Sequence, residues 1–148
     1  MSTRADFTDQ EWKAVLEGPP TAGMIVMSAA RGGTFRETFA MGKAYAQARH
    51  EHGASELLDE IVAAKPEVDH TRYHSAEEIM QRGLQHLRDA VGVLEHKTSS
   101  DEVADYGRFV LTLSERVAAA HREDGAEVSP AERAAIEAIA ASLRGGAG

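Results

Sequence analysis

The chain contains no cysteine. That excludes disulfide bonds, thiolate metal sites and a cysteine nucleophile, and it accords with a reducing, cytoplasmic setting. Aromatic residues make up only 5% of the chain, so the core must come from Ala, Leu, Val, Ile and Met. Positive charge is also short: 16 Lys and Arg stand against 24 Asp and Glu, a formal net charge of −8. Phosphate binding depends on Lys and Arg displacing counterions, and no basic run is present, so a nucleic-acid ligand is disfavoured. A long apolar run is missing as well. The most apolar stretch, residues 22–30, is too short to span a bilayer. The polar opening residues lack the apolar segment of a signal peptide.

What remains is enough for a folded domain. A chain of 148 residues, 43% of them hydrophobic, can close a core without metal or disulfide staples. One domain over residues 1–144 is expected, with 145–148 as a frayed, disordered tail. Five Ser/Thr-x-x-Glu capping boxes punctuate the sequence: Thr8/Glu11, Thr34/Glu37, Ser75/Glu78, Ser99/Glu102 and Ser129/Glu132. Each opens a segment of helical periodicity, and at the first, Phe7 and Trp12 occupy the two positions of a hydrophobic staple. No segment alternates with period two. The expected fold is all-α, a compact bundle of about seven helices.

The first helix is expected over residues 9–17, stopped by Gly18-Pro19-Pro20, and the second over residues 20–30. Met24, Ile25, Val26 and Met27 are apolar in a row, which marks that second helix as central and buried. The third, residues 35–52, would bury Phe35, Phe39, Gly42 and Ala46. A shorter helix from Ser55 would bury Leu57, Leu58, Ile61 and Val62. The fifth covers residues 76–94, with Met80, Leu84, Leu87, Val91 and Leu94 inward. The sixth, residues 100–121, presents Val103, Tyr106, Val110, Leu113 and Val117; the seventh, residues 130–143, presents Ile136, Ile139 and Leu143. Helix, glycine turn and capped helix occur twice, around Gly32-Gly33 and around Gly125, so two related helical hairpins are an open reading.

The acidic turn Glu123-Asp124-Gly125-Ala126-Glu127 leads directly into the last capped helix. Its carboxylates gather where one helix ends and the next begins. They can hold a cation, or they can serve the helix N-terminus through its dipole. An EF-hand is excluded. With Gly125 as the loop glycine, the loop would start at Ala120, have Arg122 third and end at Ala131, which supplies no ring of oxygen ligands.

The run Ala118-Ala119-Ala120, Asp124-Gly125, Val128-Ser129-Pro130-Ala131-Glu132, then Ile136, Ile139 and Leu143 resembles the C-terminal element of the tellurite-resistance TerB family. The resemblance covers about a sixth of the chain. It implies an all-helical TerB-like fold, a protein-interaction role in stress or tellurite and metal response, and a cation site with Ca2+ or Mg2+ as ligand. The residues it carries over as metal ligands are Asp124 and Glu132, with Glu127 nearby. The first half departs from the family pattern. Its turn reads Arg31-Gly32-Gly33, which offers a cation in place of a carboxylate, and only Glu37 remains there to contribute.

A second class of function is a metal-dependent enzyme. His70 and His74 have His-x-x-x-His spacing, and Glu78 could be a third ligand. The segment lies between Pro66 and the Ser75 cap, however, where a loop is expected. The remaining histidines, His50, His52, His86, His96 and His121, read as surface residues. No Gly-x-Ser-x-Gly, Walker or dinucleotide fingerprint occurs, and no pair of Glu-x-x-His helices for a dinuclear iron site. A helix-turn-helix would have to use Arg36, Lys43 and Arg49, against the acidic balance. Partner identity and self-association stay open.

Overall fold

The computed structural model describes residues 4–29, 42–43, 45–47, 56–63, 75–123 and 130–144. These are almost wholly helical, and no strand occurs among them. A 3-10 turn, Arg4–Asp6, precedes α1 (Asp9–Ala29). Then come α2 (Glu56–Ala63), α3 (Ala76–Lys97), α4 (Ser100–Glu123) and α5 (Pro130–Arg144). Residues 42–43 and 45–47 are helical as well.

Capping sets the helix starts. At α1 the box is reciprocal: the Glu11 N–H donates to Thr8 Oγ1 at 3.1 Å, and the Thr8 N–H donates to Glu11 Oε1 at 2.9 Å. The staple forms beside it, with the Phe7 and Trp12 rings 5.5 Å apart. Ser75 accepts from the Glu78 N–H at 3.1 Å, and Ser99 from the Glu102 N–H at 3.2 Å. Only Thr98 and Ser99 separate α3 from α4. The Leu94 carbonyl ends α3 by accepting both the N–H and the hydroxyl of Thr98, each at 2.7 Å. The boxes at Thr34/Glu37 and Ser129/Glu132 rest on residues outside those described.

The expected break at Gly18-Pro19-Pro20 does not occur. The two short helices predicted around it are one helix of 21 residues with both prolines inside. A proline lacks the N–H that would reach the carbonyl four residues back, so Pro19 deprives Val15 and Pro20 deprives Leu16 of a helical donor. The Val15 carbonyl finds a replacement donor on another helix, and a second side chain reaches the neighbouring Ala14 carbonyl. Tyr106 on α4 donates its hydroxyl to the Val15 carbonyl at 2.7 Å, and His86 Nε2 on α3 bonds the Ala14 carbonyl at 3.0 Å.

The halves of α1 differ sharply in burial. Every residue from 18 to 27 is buried, including the run Met24, Ile25, Val26 and Met27, whereas only Trp12 and Val15 are buried among residues 9–17. The buried half is the axis of the bundle. As a whole, α1 packs most extensively on α3 and α4, and α5 closes against α3, α1 and α4. The predicted stripes of α3 and α4 face this axis, with Leu87, Leu94, Tyr106, Val110, Leu113 and Val117 fully enclosed. Gly83 on α3 allows a close approach: a Cβ there would stand 2.7 Å from Ile25 Cδ1.

One predicted face is wrong. Gly42 and Ala46 are exposed, while Tyr45 between them is buried and meets the Phe109 ring edge-on at 5.2 Å. An aromatic ring gains far more from burial than a glycine or alanine, so it sets the face. Phe35, Phe39, Leu57, Leu58 and Val62 lie outside the described side chains.

Candidate functional site

Of the three carboxylates expected to hold a cation, Asp124 and Glu127 lie outside the described residues, as does Ser129. Glu132 is described, and its place is unusual for a carboxylate. It sits in the first turn of α5 and is 0% exposed, among the largest fully enclosed side chains of the molecule. Ala135, Ile139 and Ser142 continue the same buried side of α5. Enclosing a carboxylate costs several kcal/mol unless its charge is met by hydrogen bonds, a positive dipole or a cation. The N-terminal turn of a helix supplies part of that compensation, through free N–H groups and the aligned peptide dipoles.

The second candidate cluster is less coherent. His70 and His74 lie outside the described residues. Glu78 is half-buried and already engaged: its N–H is taken by Ser75, and its Oε1 lies 3.5 Å from Arg82 Nε. A carboxylate held by a cap and an i,i+4 arginine is accounted for by helix chemistry. Among the described residues no group of three or more His, Asp or Glu is placed to hold a metal ion.

His86 departs from the surface reading. Its ring lies between α3 and α1, 17% exposed, with Nε2 3.0 Å from the Ala14 carbonyl and 3.9 Å from Glu17 Oε2. A carbonyl oxygen only accepts, so Nε2 is the donor in this contact. Glu17 is held in turn 3.8 Å from Lys13. His96 is exposed, in keeping with expectation, and the His121 side chain is not described.

Tyr106 is fully enclosed, as Glu132 is. Burial pushes its phenol well above the ordinary value, and nearby Tyr45 adds to the shift. It therefore stays protonated and acts as a donor to Val15. No sequence pattern singles out Tyr106 for this task. The one available signal is indirect: two prolines inside a helix leave carbonyls that must find donors. Met24 and Met27 are buried in the apolar core.

No described helix is long and apolar enough to cross a membrane. Compared with protein-family models, with curated proteins and with solved structures, the chain finds no match.

Proposed function

We propose that the chain is a TerB-like helical module of the cytoplasm that works through protein contacts in stress or tellurite and metal response. Its cation-binding element, for Ca2+ or Mg2+, is the acidic turn between α4 and α5, with Asp124, Glu127 and Glu132 as ligands. The observation that carries this reading is the complete burial of Glu132 at the head of α5. A hard cation bridging that carboxylate to the two acids of the preceding turn would meet its charge with oxygen ligands of the expected kind.

Contact rather than catalysis fits the work done by the other polar groups. His86 and Tyr106 hold main-chain carbonyls of α1, and Ser99 and Glu102 form a cap. Side chains engaged in this way hold helices together and are poorly free to act on a substrate.

Thermal unfolding of the full chain, with and without millimolar Ca2+ or Mg2+, tests the proposal. A ligand that binds only the folded state raises Tm. The expected result is a cation-dependent rise that disappears in Asp124→Ala and persists in His70→Ala. Equal melting curves with and without either cation would sink it.

A further inference from the structure

The two halves of α1 differ in burial and are separated by the positions where helical hydrogen bonding is interrupted. Residues 9–17 enclose only Trp12 and Val15, whereas residues 18–27 are all buried. Between them, Pro19 and Pro20 remove two donors of the helical ladder. Polar groups of three residues on α3 and α4 tie the outer half down. His86 Nε2 reaches the Ala14 carbonyl at 3.0 Å, the Tyr106 hydroxyl reaches the Val15 carbonyl at 2.7 Å, and Lys97 Nζ lies 3.4 Å from Glu11 Oε1. Two of the three are partly exposed to water. Trp12 and Val15 reach the hydrophobic core from the outer half, and the Phe7–Trp12 staple adds a contact local to its entry turn.

We propose that residues 9–17 form a strap that opens about the Gly18-Pro19-Pro20 hinge while residues 21–27 stay in the core. Segments with little buried apolar area and an interrupted hydrogen-bond ladder open at lower free energy than the core does. Opening releases the Ala14 and Val15 carbonyls to water and uncovers the hydroxyl end of Tyr106. It leaves intact the contact of Ile25 and Thr21 with Gly83 on α3. His86 is an outer latch, since its bond to Ala14 is partly exposed and spans from α3 close to the hinge.

Amide hydrogen exchange of the intact protein in increasing, sub-denaturing guanidinium tests this. The amides of Lys13, Ala14, Val15, Leu16 and Glu17 should exchange at least about tenfold faster than those of Ala22, Gly23, Met24, Ile25, Val26 and Met27, and with weaker denaturant dependence. His86→Ala should speed the strap amides by a further factor of about five, the usual effect of one hydrogen bond, and leave the core amides unchanged. Pro20→Ala, which returns a donor to the Leu16 carbonyl, should slow the strap. A common rate and common denaturant slope for both halves of the unmodified protein would overturn the proposal. So would a His86→Ala effect that is absent or equal in the two halves.

Discussion

The Tyr106 hydroxyl lies 2.7 Å from the Val15 carbonyl oxygen, the acceptor that Pro19 leaves without its helical donor. The space for this contact comes from Gly18, where a Cβ would stand 2.0 Å from the same hydroxyl oxygen and 3.2 Å from Tyr106 Cζ. Glycine, proline and tyrosine thus act together. Tyr106→Phe should cost about 1–3 kcal/mol, because a buried carbonyl is left unsatisfied. Gly18→Ala should also destabilise, against the usual gain of about 0.5–1 kcal/mol for alanine over glycine in a helix. Removing the hydroxyl removes the closest clash, so the double variant should cost less than the sum of the two. Chemical denaturation of the four proteins of the cycle measures the coupling, and strict additivity would refute a shared contact.

The glycines of α3 and α4 give a contrast of sign. At Gly83 a Cβ would meet Ile25 Cδ1 at 2.7 Å, Ile25 Cγ1 at 2.9 Å and Thr21 Cγ2 at 3.1 Å. Gly83→Ala should therefore destabilise by about 1–3 kcal/mol through overpacking against the central helix. Gly92 and Gly107 have nothing within 4 Å of the corresponding position. Alanine at either should stabilise by about 0.5–1 kcal/mol through helix propensity. Urea midpoints of the three single variants check the order.

Acid should weaken the start of α1. The Thr8 N–H, and after it Lys97, hold the Glu11 carboxyl below its ordinary 4.5. A depressed carboxylate contributes stability that is fully present above the ordinary value and is lost as pH falls through the lowered one. In Glu11→Gln the cap can persist, because glutamine also serves a capping box, while the titration is gone. The melting temperature of Glu11→Gln should therefore fall less steeply than that of the parent below the ordinary carboxylate range. Parallel acid limbs for the two proteins would contradict this.

Much of this bundle is legible from local chemistry. The start of α4 at Ser100 follows from Ser99-x-x-Glu102, and the inward faces of α3 and α4 follow from helical spacing. Gly18-Pro19-Pro20 misleads because the rule that proline ends a helix is itself local. The donor that replaces the one lost to Pro19 comes from 91 residues away along the chain, and no window of sequence contains it. Tyr45 shows the same limit: helical spacing sets the angle between positions, and the neighbouring ring of Phe109 helps decide which angle points inward. At the acidic turn, sequence supplies the carboxylates and an expected cap. The full enclosure of Glu132 depends on how α5 seats against α3 and α1, which no property of the turn encodes.

Glu132→Gln separates the two roles open to that buried carboxylate. Glutamine keeps the size of the side chain and can still reach back to the helix N-terminus as the third residue of a capping box. It cannot offer a cation a full negative charge. If capping alone explains Glu132, the substitution should change stability little, or even raise it, because an enclosed charge is removed at constant volume. If the carboxylate is a ligand, Glu132→Gln should lose the rise in Tm produced by Ca2+ or Mg2+ while melting normally in chelator. The expected outcome is the second, with the cation response gone and the metal-free protein within about 1 kcal/mol of the parent. Retention of the full cation response in Glu132→Gln would remove Glu132 from the ligand set and leave it as the buried cap of α5.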